Sequence, residues 1–131
     1  MKNRIVVTFE KDFVQVLSDG EKNADFSRAL WTQVSALCEK HQCFKVLGIA
    51  NTTTPLQILE AYDHGALFRE LNISTRYRIA WIEKNPEGED IVRLIETVLY
   101  NRGVNARVFS NVGDARDWLL LDTDPAESTP D

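Results

Sequence analysis

The chain has 131 residues, 44% of them hydrophobic and 27% charged, which suits one domain around a single core and is too short for two. Its net charge of −5 is concentrated at the end: Asp122, Asp124, Glu127 and Asp131 fall in the last ten residues, which hold no Lys or Arg, and without them the rest carries −1. Fifteen Lys and Arg scattered among twenty acids form no clustered basic face, which excludes a general nucleic-acid binder, and no apolar run is long enough to cross a bilayer.

Met1-Lys2-Asn3-Arg4 leads straight into Ile5 without the long apolar core of a signal peptide, so a cytoplasmic location is expected. Ile5, Val7 and Phe9 alternate with Val6 and Thr8, and after Glu10-Lys11-Asp12 the run Phe13 to Leu17 repeats the alternation. This spacing predicts an antiparallel hairpin, ended by Asp19-Gly20. From about Asp25 the period becomes helical: Phe26, Leu30, Val34, Leu37 and Cys38 share a face, Asn23 or Asp25 can cap, and the helix should stop near Gln42. Trp31 falls beside this stripe and is expected in a partly exposed patch, a candidate dimer contact. Cys38 and Cys43 read as free thiols, because a metal site built on them with His41 lacks a fourth ligand nearby.

Phe44 to Ala50 is an apolar run with little polar alternation, as a strand covered on both faces requires. In Asn51-Thr52-Thr53-Thr54-Pro55-Leu56-Gln57, Thr54 can cap a helix, Pro55 fits its first position and Gln57 can complete a capping box. Leu56, Leu59, Tyr62 and Leu67 or Phe68 mark the expected buried side of that helix, which runs to about Leu71. Gly65 either bends it or admits a close neighbour. Arg76 to Ile82 is a strand, and Glu83 to Glu87 the loop after it. Ile91, Val92, Leu94, Ile95, Val98 and Leu99 form a wide helical stripe led by Glu87, Glu89 and Asp90 and ended by Gly103 in the left-handed position. Val104 to Phe109 is a short strand. Ser110 or Asn111 caps a last helix docked by Val112, Ala115, Trp118 and Leu119, and the acidic, Pro-containing tail 122–131 is expected to be disordered, leaving 1–121 as the single domain.

The order is β-β-α-β-α-β-α-β-α. It predicts an α/β fold with a mostly parallel five-stranded sheet, one antiparallel strand, right-handed crossovers and helices on both faces.

This order of elements, together with Arg78-Ile-Ala-Trp-Ile82, Asn101-Arg-Gly103 and the stretch Arg107 to Leu119, resembles the SpoIIAA-like branch of the STAS fold, named for bacterial anti-sigma-factor antagonists. The similarity covers the folded body and is most specific in its carboxy-terminal third. It implies a STAS-like fold and a non-enzymatic regulatory or ligand-binding module. The antagonists carry a phosphoacceptor Ser in an Asp-x-Ser-Gly pattern after a central strand. The corresponding place here is Asn51-Thr52-Thr53-Thr54, which has hydroxyls but neither the Asp nor the Gly, with Pro55 at the expected helix start.

Ligands of open parallel sheets meet the carboxyl ends of the strands. Three loops should converge there: Asn51 to Thr54, Glu83 to Pro86, and Ser110 with Asn111. Their hydroxyls and free N–H groups could make an anion-friendly rim, or Thr54 and Asn111 could be caps only. No Gly-rich phosphate loop is present. His41 suits a helix end, and His64 lies beside Asp63, which as a sequence neighbour on a helix does not face it. The aromatics Trp31, Tyr62, Phe68, Trp81, Tyr100 and Trp118 are mostly expected in the core, although some could line an apolar pocket.

The leading expectation is a non-enzymatic regulatory or protein-interaction module acting through Asn51 to Thr54 on a protein partner or a second copy of the chain. Aspartate at Thr52 and Thr53 should then alter partner binding without unfolding the domain. The alternative is a carrier or sensor binding a small apolar or anionic ligand at the strand ends. An enzyme, the third possibility, would rely on His64 or Glu83. No cofactor is implied.

Overall fold

Within residues 3–121, which this computed structural model describes, the elements are β1 (Arg4–Phe9), β2 (Val14–Glu21), α1 (Ala24–His41), β3 (Lys45–Thr54), α2 (Ile58–Tyr62), α3 (His64–Glu70), β4 (Arg78–Glu83), α4 (Pro86–Tyr100), β5 (Asn105–Val108) and α5 (Val112–Leu119). The tail 122–131 lies outside the described residues. The sheet order is β1-β2-β3-β4-β5, with β1 antiparallel to β2 and every other pair parallel. The expected α/β architecture is therefore present, a five-stranded sheet fed by alternating helices.

Strand alternation sorts the side chains into two layers. Val14, Val16, Val46 and Ile79 meet Leu30, Trp31, Val34 and Cys38 of α1, Phe68 of α3 and Leu99 of α4 on one face. Leu47, Ala80 and Ile82 meet Ala115 and Leu119 of α5 on the other. Arg78 fastens α5 to the sheet: its guanidinium donates to the Trp118 carbonyl at 2.7 and 3.2 Å and lies 3.9 Å from the Trp118 ring centroid. Helix ends follow local chemistry. Asn23, Asn85 and Asn111 cap α1, α4 and α5, and Gly103 takes φ +80° after α4.

Five expectations are corrected. The hairpin does not end at Asp19-Gly20, because β3 pairs β2 as far as Glu21 and the chain passes Gly20 as a bulge at φ +113°. The same pairing keeps Asn51 to Thr54 in strand, so Thr54 caps nothing. Gln57 is the N-cap of α2 and closes a capping box with Glu60. The helix then splits at Asp63 into α2 and α3, while Gly65, inside α3, admits Arg102, whose Nε would stand 3.0 Å from a Cβ there. Leu59 and Tyr62 are not on its buried side: Leu59 is 77% and Tyr62 55% exposed, whereas Ala61, His64, Leu67 and Phe68 are buried. Trp31, finally, is no surface patch. It is 6% exposed, with ring centroids 4.7 Å from Phe68 and 5.5 Å from Trp81.

The corrected cap carries a prediction. The Glu60 carboxylate accepts from Gln57 N at 2.9 Å and from Ala24 N at 3.1 Å, tying the starts of α2 and α1 together. Glu60→Ala should cost about 1 kcal/mol and Thr54→Ala within about 0.5 kcal/mol of nothing, measured by urea denaturation. The reverse order would return the cap to Thr54.

Candidate functional site

The site begins with the helix-rich face of the sheet. Trp81 of β4 points to this face, and its indole lies across Gly48 of β3, where any Cβ would overlap the ring. The indole thus forms a flat floor in mid-sheet. Above it, α4 is buried only at Gly88 in its first turn and Leu99 in its last. The apolar row between them, Ile91, Val92 and Ile95, is half-buried and faces a cleft of about 70 Å³. That volume holds about five to seven water-sized groups. Ile79, Ala106 and Val108 join Trp81 in the floor, Phe26, Leu30 and Trp31 of α1 make one wall, and Pro55 and Leu56 approach from the β3–α2 connection.

Polar groups gather where the strands end. Glu83, the last residue of β4, accepts from Thr52 N at 2.9 Å, from Asn85 N at 3.1 Å and, in a short bond, from the Thr52 hydroxyl. The Asn85 amide in turn donates to the Thr52 carbonyl while its oxygen caps α4. Strand ends β3 and β4 and the start of α4 are knotted through these three residues. Gly88 lets the helix come close, since a Cβ there would stand 3.2 Å from the Glu83 carboxyl. Glu83 therefore occupies the place at the positive end of α4 that an outside anion would take.

Lys22 enters from the opposite side. The bulge at Gly20 and the bond from Lys22 N to the Thr54 carbonyl, 2.8 Å, hold it between β2 and α1. Its Nζ is 5.2 Å from the Phe26 ring centroid and 5.7 Å from that of Trp81. Among the described residues it makes no ion pair within 4.0 Å. Desolvation lowers its pKa from 10.5 to about 8, against the attraction of Glu83 and Asp19.

His64 is 4% exposed and reaches the same cleft from α3. Its Nδ1 is 2.9 Å from the Glu60 carbonyl and donates to it, which leaves Nε2 with its lone pair as an acceptor. Burial lowers its pKa, and the Lys22 charge adds to the effect, so the ring is neutral near pH 7. Ser27, 6% exposed, also lines the cleft. Neither the Ser27 hydroxyl nor His64 Nε2 has a hydrogen-bond partner among the described residues.

The Lys22 environment gives a pH prediction with a definite sign. Its folded pKa, about 8, lies below the unfolded 10.5, so between these values the unfolded chain binds more protons and stability rises with pH. Below about pH 8 the cost of a buried ammonium is fully present. Lys22→Met should therefore be more stable than wild type at pH 7 by about 1–3 kcal/mol, with the gain vanishing by about pH 10.5. Paired denaturation curves at several pH values measure it; a gain that does not change with pH would place Lys22 in water.

Of the residues expected at the strand ends, the structure brings Thr52 and Glu83 together on the cleft. Asn51, Thr53 and Thr54 are exposed, and Asn111 caps α5. Ser110 lies in a separate, polar recess with Lys84, Phe109 and the far side of Glu83. The Thr52 hydroxyl is buried against Glu83, so Thr52→Asp would set two carboxylates face to face and is not the neutral change expected from sequence. Lys22 and Ser27 were not among the sequence candidates. A signal for Ser27 existed: Ser27, Trp31 and Ser35 repeat at four-residue steps beside the apolar stripe of α1, and all three are buried. Lys22 had none, being one charge in the polar stretch from Ser18 to Asp25. Among the described residues no group of three or more His, Cys, Asp or Glu is placed to hold a metal ion, and no helix is long and apolar enough to cross a membrane.

No protein-family model matches the chain, and no curated protein matches it. Among solved structures, it is similar to an uncharacterised protein of the DUF3478 family with a SpoIIAA-like fold from Shewanella loihica PV-4. The two share 18% identity over 89% of this chain and 93% of the other, with a TM-score of 0.51. A likeness at that identity supports the SpoIIAA-like fold.

Proposed function

We propose that this chain is a non-catalytic binding module, a carrier or sensor, for a small molecule with an apolar body of about five carbons and one polar head. The observation that carries the reading is the cleft itself. An apolar chamber floored by Trp81 opens at the carboxyl ends of the parallel strands, where Lys22, Ser27 and His64 present one charged donor, one hydroxyl and one neutral acceptor without protein partners. Glu83 and Thr52 satisfy one another and act as the frame that holds the chamber open. A neutral polar head fits these groups better than an anion, since the α4 amino end already faces a carboxylate.

Binding to the folded state alone raises stability by mass action, about 2.7 kcal/mol at a concentration one hundred times Kd. A homologous series of primary alcohols from propanol to hexanol should raise Tm progressively up to the length the cleft accepts. Ala106→Phe, which fills the floor beside Trp81, should abolish the rise while leaving the fold intact by circular dichroism. Equal shifts in wild type and Ala106→Phe would remove the cleft from the function.

A further inference from the structure

Three features of the cleft narrow the chemistry of its occupant. The donors that would hold a carboxylate or phosphate, Thr52 N, Thr52 Oγ1 and Asn85 N, are all spent on Glu83. What remains is an amine on Lys22, flanked by the Phe26 and Trp81 rings and in no ion pair among the described residues, with Ser27 and His64 lining the same cleft. A lysine desolvated in an apolar wall keeps an appreciable free-amine fraction near neutral pH, and a free amine is a nucleophile toward carbonyl carbon.

We propose that Lys22 captures small aliphatic aldehydes or ketones in the cleft as an imine, a proposal that rests on the ligand-binding reading of the same cleft. The neutral Nζ adds to the carbonyl carbon, forming the N–C bond as the C=O π pair moves to oxygen, which takes up a proton. Nitrogen gives up the first of its two protons, the oxygen takes up a second, and the carbinolamine nitrogen's lone pair expels that oxygen as water as the C–O bond breaks; the iminium then loses its remaining N–H proton to leave the imine. Amine and carbonyl thus become imine and one water, with no change of oxidation state. Each of the two protons that nitrogen sheds passes in turn to His64 Nε2, the first going on to the departing oxygen and the second returning to solvent in place of the one that oxygen first took up, and the Ser27 hydroxyl is a donor to the carbonyl oxygen. Because Lys22 is only partly buried, the water released has a way out.

Pentanal, with six non-hydrogen atoms, is the probe. Wild type and Lys22→Arg are incubated with it at pH 7.5 in the presence of cyanoborohydride, with and without 1-pentanol, and the labelled lysines are mapped by peptide mass spectrometry. Lys22 should be labelled about tenfold faster than Lys11, Lys40, Lys45 or Lys84, 1-pentanol should slow only that site, and Lys22→Arg should lose the fast phase alone. Labelling of Lys22 no faster than those other lysines, with 1-pentanol still raising Tm, would overturn imine capture and leave the binding reading standing. Slow labelling without any Tm shift would overturn both. Fast labelling that 1-pentanol fails to slow would mean a reactive amine outside the cleft and also overturns the proposal.

Discussion

Gly48→Ala is expected to be the most damaging methyl group that can be added to this sheet, lowering stability by about 3 kcal/mol and Tm by about 10 °C. Gly48 pairs Trp81 across the β3–β4 ladder, and the indole leans over the space where a side chain at position 48 would stand. A large ring in a sheet interior normally has a neighbour of its own to pack on; here the neighbour is absent and the ring lies down. An added Cβ has to lift the indole, which is also held 5.5 Å from Trp31, so the displacement spreads to α1 and closes the cleft from below. Chemical denaturation measures the loss, and near-ultraviolet circular dichroism reports the indole. A fully stable Gly48→Ala protein with wild-type aromatic signals would contradict this geometry.

The second large effect is expected at Glu83. Its carboxylate accepts from two backbone amides and a hydroxyl. Hydrogen bonds to a charged acceptor are each worth about 1.5–3 kcal/mol, and losing the acceptor strands buried donors. Glu83→Ala should therefore cost about 4 kcal/mol, while Glu83→Gln, which keeps one acceptor oxygen, should cost roughly half as much. Because Thr52 is the partner, Thr52→Val in the Glu83→Ala background should cost much less than in wild type. Additive losses would show that the two residues act separately. Glu83→Ala should also drive the Lys22 pKa further below about 8, since the Glu83 charge is the main force raising it.

These two residues mark how far the sequence can be read. Period and capping chemistry located the strands and most of the helices to within a few residues, because Phe26, Leu30, Val34 and Cys38, or Asn111 and Gly103, act through local geometry that their order in the chain displays. The extension of β3 through Asn51 to Thr54 was not legible. Those residues are strand because β2 beside them supplies partners as far as Glu21, and long-range pairing outweighed a strong local helix-start pattern. The later start of the second helix had the same origin, since Gln57 and Glu60 found each other and Ala24 once α1 was in place.

The candidate site was half legible. Thr52 and Glu83 stand at strand ends, where topology alone directs attention. His64 looked unpromising beside Asp63, yet its relevant neighbours are the Glu60 carbonyl one turn back and the cleft in front of it. Lys22 could not be picked from the other lysines, because what sets it apart is burial by Phe26 and Trp81, a property of the assembled fold. The cleft was invisible for a related reason. The stripe on α4 predicts contact with a core, and only the assembled structure shows that Ile91, Val92 and Ile95 overhang a space.

The most direct measurement is a titration of isotope-labelled protein with 1-pentanol, followed by two-dimensional amide and indole NMR. Saturable shifts should appear at the Trp31 and Trp81 indoles and at the amides of Leu56, Val92 and Ile95, with those of α5 unmoved, and all should disappear in Ala106→Phe. Shifts scattered over the surface, or none at millimolar alcohol, would contradict a ligand-binding cleft and leave the space beneath α4 a packing defect of the fold.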